Sequence, residues 1–402
     1  MKYIVLIIDG AAGLPIPDRG GKTTLELART PNLDALTAQG ALGLTQTVPN
    51  GMEPSSACAC MSVMGYDPVV YYKGRASIEA KSMGIDIDKG EVVFRCNLVT
   101  IQDGKMFDYS AGHIPTPEAA AVIQSLNQEL GSDEIKFYPG VGFRNILKIK
   151  GHEETLNARC TPPHDIPGKP VKDFLPQGPG SELLLSLMNR SEILLKSHKI
   201  NEKRLKRGNL PVTTVWLFWG SGQVPAMPSF QQAYGLSAAM TSGVDLLNGL
   251  ARMADMKILN IKGVTDAVDS DNVAQAKGAL KALKNHDLVV IHIEAPDEAG
   301  HGGNIDEKIK AIENVDRDVI AQIRNCVYPE SYRGASDLRV LVMPDHPTPI
   351  TTRTHSPDPV PFLMWGKGIN ANGAARFTEA EAKATGVFIA DGYKIMSKLT
   401  GR

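Results

Sequence analysis

The sequence predicts an α/β protein with a mainly parallel sheet flanked by helices and an inserted α+β domain. Three observations carry this prediction. Short, continuously apolar runs at residues 3–8, 288–293 and 338–343 have the length and composition of strands buried on both faces of a parallel sheet. From residue 241 onward, helical and strand patterns alternate, as βα units do. Between about residues 69 and 225 that alternation gives way to hairpin-like strand pairs, the signature of a separate α+β layer. The expected organisation is a core formed by residues 1–70 and 226–402, with residues 71–225 as an inserted substrate or cap domain.

Taken in order, residues 3–8 form a β-branched strand ending at Asp9-Gly10. Thr30-Pro31 opens a helix with Leu33 and Leu36 on one face, and Gly40 closes it. Residues 42–48 read as a strand, followed by an irregular Pro/Gly connection to Ser55-Ser56 and a small, apolar helix ending near Gly65. In the insert, residues 92–101 and 105–109 flank Asp103-Gly104, a strong hairpin turn. A helix runs over 116–130, a strand over 143–149 and a second helix over 182–196, with the return to the core near 224–230. The core then alternates: helix 241–254, strand 257–261, helix 272–283, strand 288–293, helix 307–325 and strand 338–343. On the helix over 307–325, Ile309, Ile312, Val315, Val319 and Ile323 make one core-facing stripe.

Composition narrows the function classes. The 402 residues carry 43 Lys and Arg against 44 Asp and Glu, so the formal charge of −1 gives no general attraction for nucleic acid or an anionic membrane. Five scattered cysteines without a CxxC pair fit reduced thiols in a cytoplasmic protein better than a disulfide framework. No uncharged apolar run approaches the ~18 to 20 residues of a membrane span, and the N-terminal run reads as a strand, not a signal peptide.

The chemistry collects where strands end. Asp345 and His346 follow the strand over 338–343, and His355 lies ten residues beyond Asp345. An Asp-His pair before proline can simply cap a turn, but two other strands end similarly. Asp9 follows the first strand. Asp297 and His301 follow the strand over 288–293 with a four-residue spacing that puts both on one side of a helical turn, while Glu294 and Glu298 read as solvated charges. Open α/β sheets bind ligands beyond the carboxyl ends of their strands. Three Asp and three His are too many for one open tetrahedral zinc and suit a pair of divalent ions ~3.5 to 4 Å apart. Ser56, at the start of a helix, is the candidate nucleophile, because a helix N-terminus favours a phosphoryl anion. Ser55 or Ser56 can also serve as an ordinary helix cap.

The chain resembles the cofactor-independent (2,3-bisphosphoglycerate-independent) phosphoglycerate mutases of the archaeal type, within the alkaline phosphatase superfamily, over nearly its full length. The blocks that carry the resemblance are LIIDG, GGKTTLELARTPNLDAL, SACACMSVMGYDP from Ser56, YKGRASIEA, HIEAPDEAGH, PDH and THSPDPVPFL. The resemblance implies an alkaline-phosphatase-like core. It assigns Asp9, Ser56, Asp345 and His346 to one metal ion and Asp297, His301 and His355 to the other, with Ser56 as nucleophile. It further implies a phosphoserine intermediate between 3- and 2-phosphoglycerate, two divalent ions (manganese or zinc first, magnesium or cobalt next) and no 2,3-bisphosphoglycerate. The partner is a small phosphorylated metabolite, and an insert that excludes water separates a mutase from a phosphatase. Arg75, Arg95 and Arg144 are the candidates to hold phosphate and carboxylate, since Arg forks match those anions.

The departures concern substrate recognition. Ala57 stands where archaeal-type relatives usually have Asp, and Cys60 at a position usually polar. DYSAGHI, from Asp108 to Ile114, replaces an Arg-rich DRRAGRI run, and Trp219 replaces another frequent Arg. His113 and His164 are the candidates to compensate. A metal-dependent phosphomonoesterase or phosphodiesterase, and a non-catalytic phosphometabolite-binding protein, are the alternative readings.

Overall fold

The structure, a computed structural model, describes residues 1–327 and 337–402. In chain order its strands are β1 (Lys2–Ile8), β2 (Ala41–Thr45), β3 (Glu91–Gln102), β4 (Lys105–Asp108), β5 (Ile135–Val141), β6 (Arg144–Lys150), β7 (Thr214–Ser221), β8 (Ala238–Thr241), β9 (Lys257–Ile258), β10 (Leu288–Ile293), β11 (Leu338–Met343), β12 (Val360–Gly366) and β13 (Phe388–Ile389). They divide between two compact units, one of residues 1–72 and 226–402, the other of residues 73–225.

In the first unit an eight-stranded sheet runs β13-β2-β12-β11-β1-β10-β8-β9. β1 lies between β10 and β11 and is parallel to both. Its residues from Ile4 to Ile8 are all buried, which explains an apolar run without alternation: both faces are covered. The pairings Ile8 with Ile293 and Ile7 with Met343 end all three strands at one level. The residues that follow them therefore emerge side by side at one edge. Only β12 runs against its neighbours β11 and β2.

The second unit is a five-stranded antiparallel sheet centred on β3, which pairs with β4, β6 and β7. Phe94, Cys96 and Leu98 of β3 pack with Val122 and Leu126 of helix Thr116–Leu130 and Leu184 and Leu187 of helix Ser181–Leu195. On the opposite face Val93 packs with Ala76 and Ala80 of helix Arg75–Ser82. The Asp103-Gly104 turn between β3 and β4 has φ of 50° and 70°, the left-handed pair that a tight hairpin requires.

Several elements differ from the sequence expectation. The helix expected over 241–254 begins at Asp245, because Thr241 ends β8, a four-residue strand beside β10. The strand expected over 257–261 shortens to Lys257–Ile258. β5, β7, β12 and β13 were not read from the sequence. The long helix over 307–325 is interrupted by a π-turn at Asp316–Ile320, where the buried Asp316 carboxylate accepts hydrogen bonds from the backbone N–H groups of Asn32 and Leu33 at 3.2 and 2.7 Å. That carboxylate caps helix Pro31–Thr37, which has no side-chain cap of its own.

Because Leu6 is wholly buried between two parallel neighbours, Leu6→Ala is expected to destabilise the first unit by about 2–5 kcal/mol. Urea unfolding read by far-UV circular dichroism measures this, and an unchanged midpoint would contradict the central placement of β1.

Candidate active site

Asp9 leaves β1 with its backbone N–H donating to the Ile293 carbonyl at 2.9 Å, so its position is fixed by the end of β10. The next residue, Gly10, has φ of +60° and donates its N–H to Asp345 Oδ1 at 3.1 Å. A Cβ there would lie 2.8 Å from Asp297 Cα, so the turn admits only glycine. Asp345 Oδ1 also accepts from the His346 N–H at 2.8 Å, and its Oδ2 from the Cys60 thiol at 3.3 Å. Burial, with the charges of Asp345 and Asp9, pushes that thiol well up, so Cys60 stays a protonated donor. The residue that departs from the usual polar type thus still serves a polar role.

Ser55 caps helix Ser56–Val63 by accepting from the Cys58 N–H at 3.3 Å. Ser56 is thereby released from capping, and its Oγ lies 3.2 Å from His346 Nε2. That same nitrogen is 3.3 Å from Asp345 Oδ2 and 3.6 Å from Asp9 Oδ1. Beside this group stands a second: Asp297, His301 and His355, with His301 Nε2 3.2 Å from Asp297 Oδ2, His355 Nε2 3.6 Å from Asp297 Oδ1, and the two Nε2 atoms 2.9 Å apart. The His346 and His355 rings, with centroids 4.0 Å apart, join the two groups. All seven residues singled out for metal chemistry therefore converge in one region of the first unit.

The histidines are held by their other nitrogens. His301 Nδ1 faces the Arg353 carbonyl at 3.0 Å and His355 Nδ1 the Pro54 carbonyl at 3.2 Å. His346 Nδ1 lies 3.3 Å from Thr348 Oγ1, whose proton is given to Asp297 Oδ1. Each ring thus turns Nε2 inward, the arrangement that fixes a metal-binding tautomer. In each of Asp9/Asp345/His346 and Asp297/His301/His355 the candidate ligand atoms lie within 4.8 Å of one another.

Charge completes the fit to cations. Burial, reinforced by Asp345 and Asp297, pushes the Asp9 carboxyl well above its usual range. Its Oδ2 is taken by His292 Nε2 at 2.7 Å, whereas Oδ1, fully buried, has no hydrogen-bond partner among the described residues and faces His346. A buried oxygen left unpaired is costly unless something positive meets it. Burial alone would raise Asp297 as well, but hydrogen bonds from His301 and His355 outweigh it and hold that carboxyl well below the usual range. The donor set of carboxylate and imidazole, with Ser56 beside it, suits divalent ions of the borderline and hard classes.

The family model for 2,3-bisphosphoglycerate-independent phosphoglycerate mutase matches residues 37–201. The chain is 44% identical, over 99% of both sequences, to the 2,3-bisphosphoglycerate-independent phosphoglycerate mutase of Methanothrix thermoacetophila. It belongs to that family. The fold agrees with two solved structures: a protein from Pyrococcus horikoshii (TM-score 0.80, 27% identity, 100% of this chain and 97% of that one) and the cofactor-independent phosphoglycerate mutase of Thermoplasma acidophilum (0.66, 26%, 100% and 99%).

In this mutase-family chain the five residues expected to bind substrate all lie in the second unit. Arg95 is buried, its guanidinium engaged by Glu79 and by Asn97 Oδ1 at 3.0 Å. Arg75 shares Glu79, with Nε donating to Oε1 at 2.9 Å. Arg144, His113 and His164 are exposed. Three further residues escaped the sequence reading. His292 belongs to β10 and looked like strand filling, yet it orients Asp9 and is held in turn by Ser242 Oγ at 3.0 Å. Glu294 is largely buried and 3.7 Å from His292 Nε2 rather than solvated, while Glu298 is exposed. Lys308 is wholly buried on helix Ile305–Val315 and donates to the carbonyls of Ala12 at 3.1 Å and Thr348 at 2.7 Å. It ties the loop after β1 to the loop after β11, and burial pulls its ammonium down to about 8. The signal available in the sequence was a lysine one position from the apolar stripe of an amphipathic helix.

Two outcomes follow from this geometry. Lys308→Met removes both hydrogen bonds, leaving the Thr348 carbonyl without a partner among the described residues while the Ala12 carbonyl keeps the Thr348 N–H at 3.1 Å, and is expected to cost about 1–3 kcal/mol in urea unfolding; no loss would show that the two loops do not depend on it. His301 is raised from 6.5 to about 9, chiefly by its hydrogen bond to Asp297. In chelator-treated protein its contribution is full below about pH 6.5 and is lost as pH rises through about 9. The wild-type urea midpoint should fall over that window relative to His301→Ala, and parallel pH profiles would refute the pairing.

Proposed function

We propose that the chain interconverts 3-phosphoglycerate and 2-phosphoglycerate by moving the phosphoryl group through Ser56. The observation that carries this reading is Ser56 Oγ, released from capping by Ser55, at 3.2 Å from His346 Nε2 among three carboxylates and three imidazoles. Two divalent ions, manganese or zinc first and magnesium or cobalt next, would be held by Asp9, Ser56, Asp345 and His346 and by Asp297, His301 and His355. Bound there, they supply positive charge that favours the Ser56 alkoxide and offsets charge on the transferred phosphoryl group.

Ser56 Oγ attacks phosphorus as the bond from phosphorus to the C3 oxygen breaks. The phosphoryl group then sits on Ser56, and the C3 oxygen takes up a proton. Backbone N–H groups of the first turn of helix Ser56–Val63 face the phosphoryl oxygens, where the helix N-terminus favours negative charge. The retained glycerate turns, its C2 hydroxyl attacks the phosphoserine, and Ser56 is restored without added 2,3-bisphosphoglycerate. Residues 73–225 act as the substrate domain in this reading. Arg75, Arg144, His113 and His164 bind the anionic groups, and Arg95, through the shared Glu79, orients Arg75.

The purified chain with manganese should form 2-phosphoglycerate from 3-phosphoglycerate with no 2,3-bisphosphoglycerate present. Ser56→Ala should lower that rate by several orders of magnitude, as removal of a nucleophile does. Free phosphate released without 2-phosphoglycerate would replace the mutase reading with a hydrolase.

A further inference from the structure

We propose that a ladder of rings on the inserted unit is a binding surface for a phosphate monoester whose organic part carries a flat unsaturated ring. The inference rests on the reading of the chain as a phosphoryl-transfer protein and goes beyond phosphoglycerate, which has no ring. The ladder starts at Arg75, whose guanidinium carbon lies 4.5 Å from the Trp219 ring centroid. Trp219 meets His164 at 5.4 Å, His164 meets Tyr109 at 6.2 Å, and Tyr109 meets Phe143 at 5.9 Å. At the far end Phe143 is flanked by His113 at 6.2 Å and by the Arg144 guanidinium at 5.3 Å. A cation thus stands at each end of a run of rings.

Tyr109, Phe143 and Trp219 pack one side against the insert's core, which leaves their other side to solvent contact. Phe218, directly beneath Trp219 at 4.6 Å, is wholly buried and fills the core. Trp219, Tyr109 and Phe143 are only half-buried, and His164 and His113 are exposed. The backbone is moreover held in costly conformations to present them. Trp219 has φ of +52° at a break in the β3–β7 register, and His113 and Ala111 have φ of +51° and +50°. A non-glycine residue in this region is strained unless its surroundings enforce it. Asp108 enforces the turn carrying Tyr109 and His113: its Oδ1 accepts from the N–H groups of Ser110 and Gly112 at 2.7 and 3.0 Å and from Ser110 Oγ at 2.6 Å.

The ring geometry points to the ligand class. The contacts along the run are edge-to-face, with interplanar angles from 62° to 79°, which leaves ring faces not stacked on one another. A flat ring can stack offset against such a face while its phosphate meets a guanidinium at one end.

Calorimetric titration of the full-length, manganese-loaded Ser56→Ala protein tests this, with phenyl phosphate and glycerol 3-phosphate as probes. Phenyl phosphate is expected to bind roughly tenfold more tightly, the scale of one good ring contact. Trp219→Arg should erase the difference, Tyr109→Ala should reduce it, and Trp219→Phe should keep it, in proteins whose circular dichroism matches the parent. Equal affinities in the parent, or a difference that survives both Trp219→Arg and Tyr109→Ala, would overturn the proposal. Binding is read here on a chain that cannot transfer phosphate. A tenfold preference without any 2-phosphoglycerate formation by the wild type removes the mutase reading and keeps the ladder; mutase activity without the preference does the reverse.

Discussion

The parallel pairing of β1 between β10 and β11 is the constraint on which the rest depends. Strands that end at the same level and point the same way deliver Asp9, the Asp297 turn and Asp345 to one edge of the sheet. No loop has to search for that arrangement. The hydrogen bond from Asp9 N–H to the Ile293 carbonyl continues the ladder one step past the strand, so the first carboxylate is placed by backbone geometry. Ser56 and His355 come from outside these three strands and are brought in by side-chain bonds instead, the one through His346 and the other through the Pro54 carbonyl.

Such convergence carries an electrostatic cost. Three carboxylates that are almost fully buried repel one another, and burial disfavours the ionised form of Asp9 most plainly. The chain meets part of that cost with its own groups: His292 against Asp9, the Cys60 thiol against Asp345, Thr348 against Asp297, and the Lys308 ammonium bridging the two loops. His292, Cys60 and Thr348 each take up one carboxylate oxygen, and Lys308 two carbonyls. Asp9 shows the division most plainly, with one oxygen satisfied by protein and the other left for a cation.

The parts legible in the sequence were those in which one physical cause dominates. Strands buried on both faces announce themselves as unbroken apolar runs, and a ligand directly after such a run is placed by the strand itself. That is why Asp9, Asp297, Asp345 and His346 could be read from the chain. β8 could not, because the four residues Ala238–Thr241 are too few to carry a period, and only pairing with β10 makes them a strand. β7 carries an unbroken apolar run over 215–219 and was passed over because it sits in the insert, outside the βα alternation that marked the other buried strands. Lys308 left only a weak trace, beside the apolar stripe of its helix, and His292 none, for a different reason. Their roles are set by partners 296 and 283 residues away in sequence, which no local pattern specifies.

The same long reach shapes how the chain becomes a protein. Asp9 and His292 are separated by 283 residues and Gly10 and Asp345 by 335. At ribosomal rates of about 5–20 residues per second, β1 waits some tens of seconds for either neighbour. For that time its apolar faces and both hydrogen-bonding edges have no native cover, the condition under which strand segments aggregate. The antiparallel unit of residues 73–225 is synthesised meanwhile, and every strand pairing in it is internal to it. The order of synthesis thus lets the insert fold first, while the core's central strand depends on a chaperone or on transient contacts until β10 emerges.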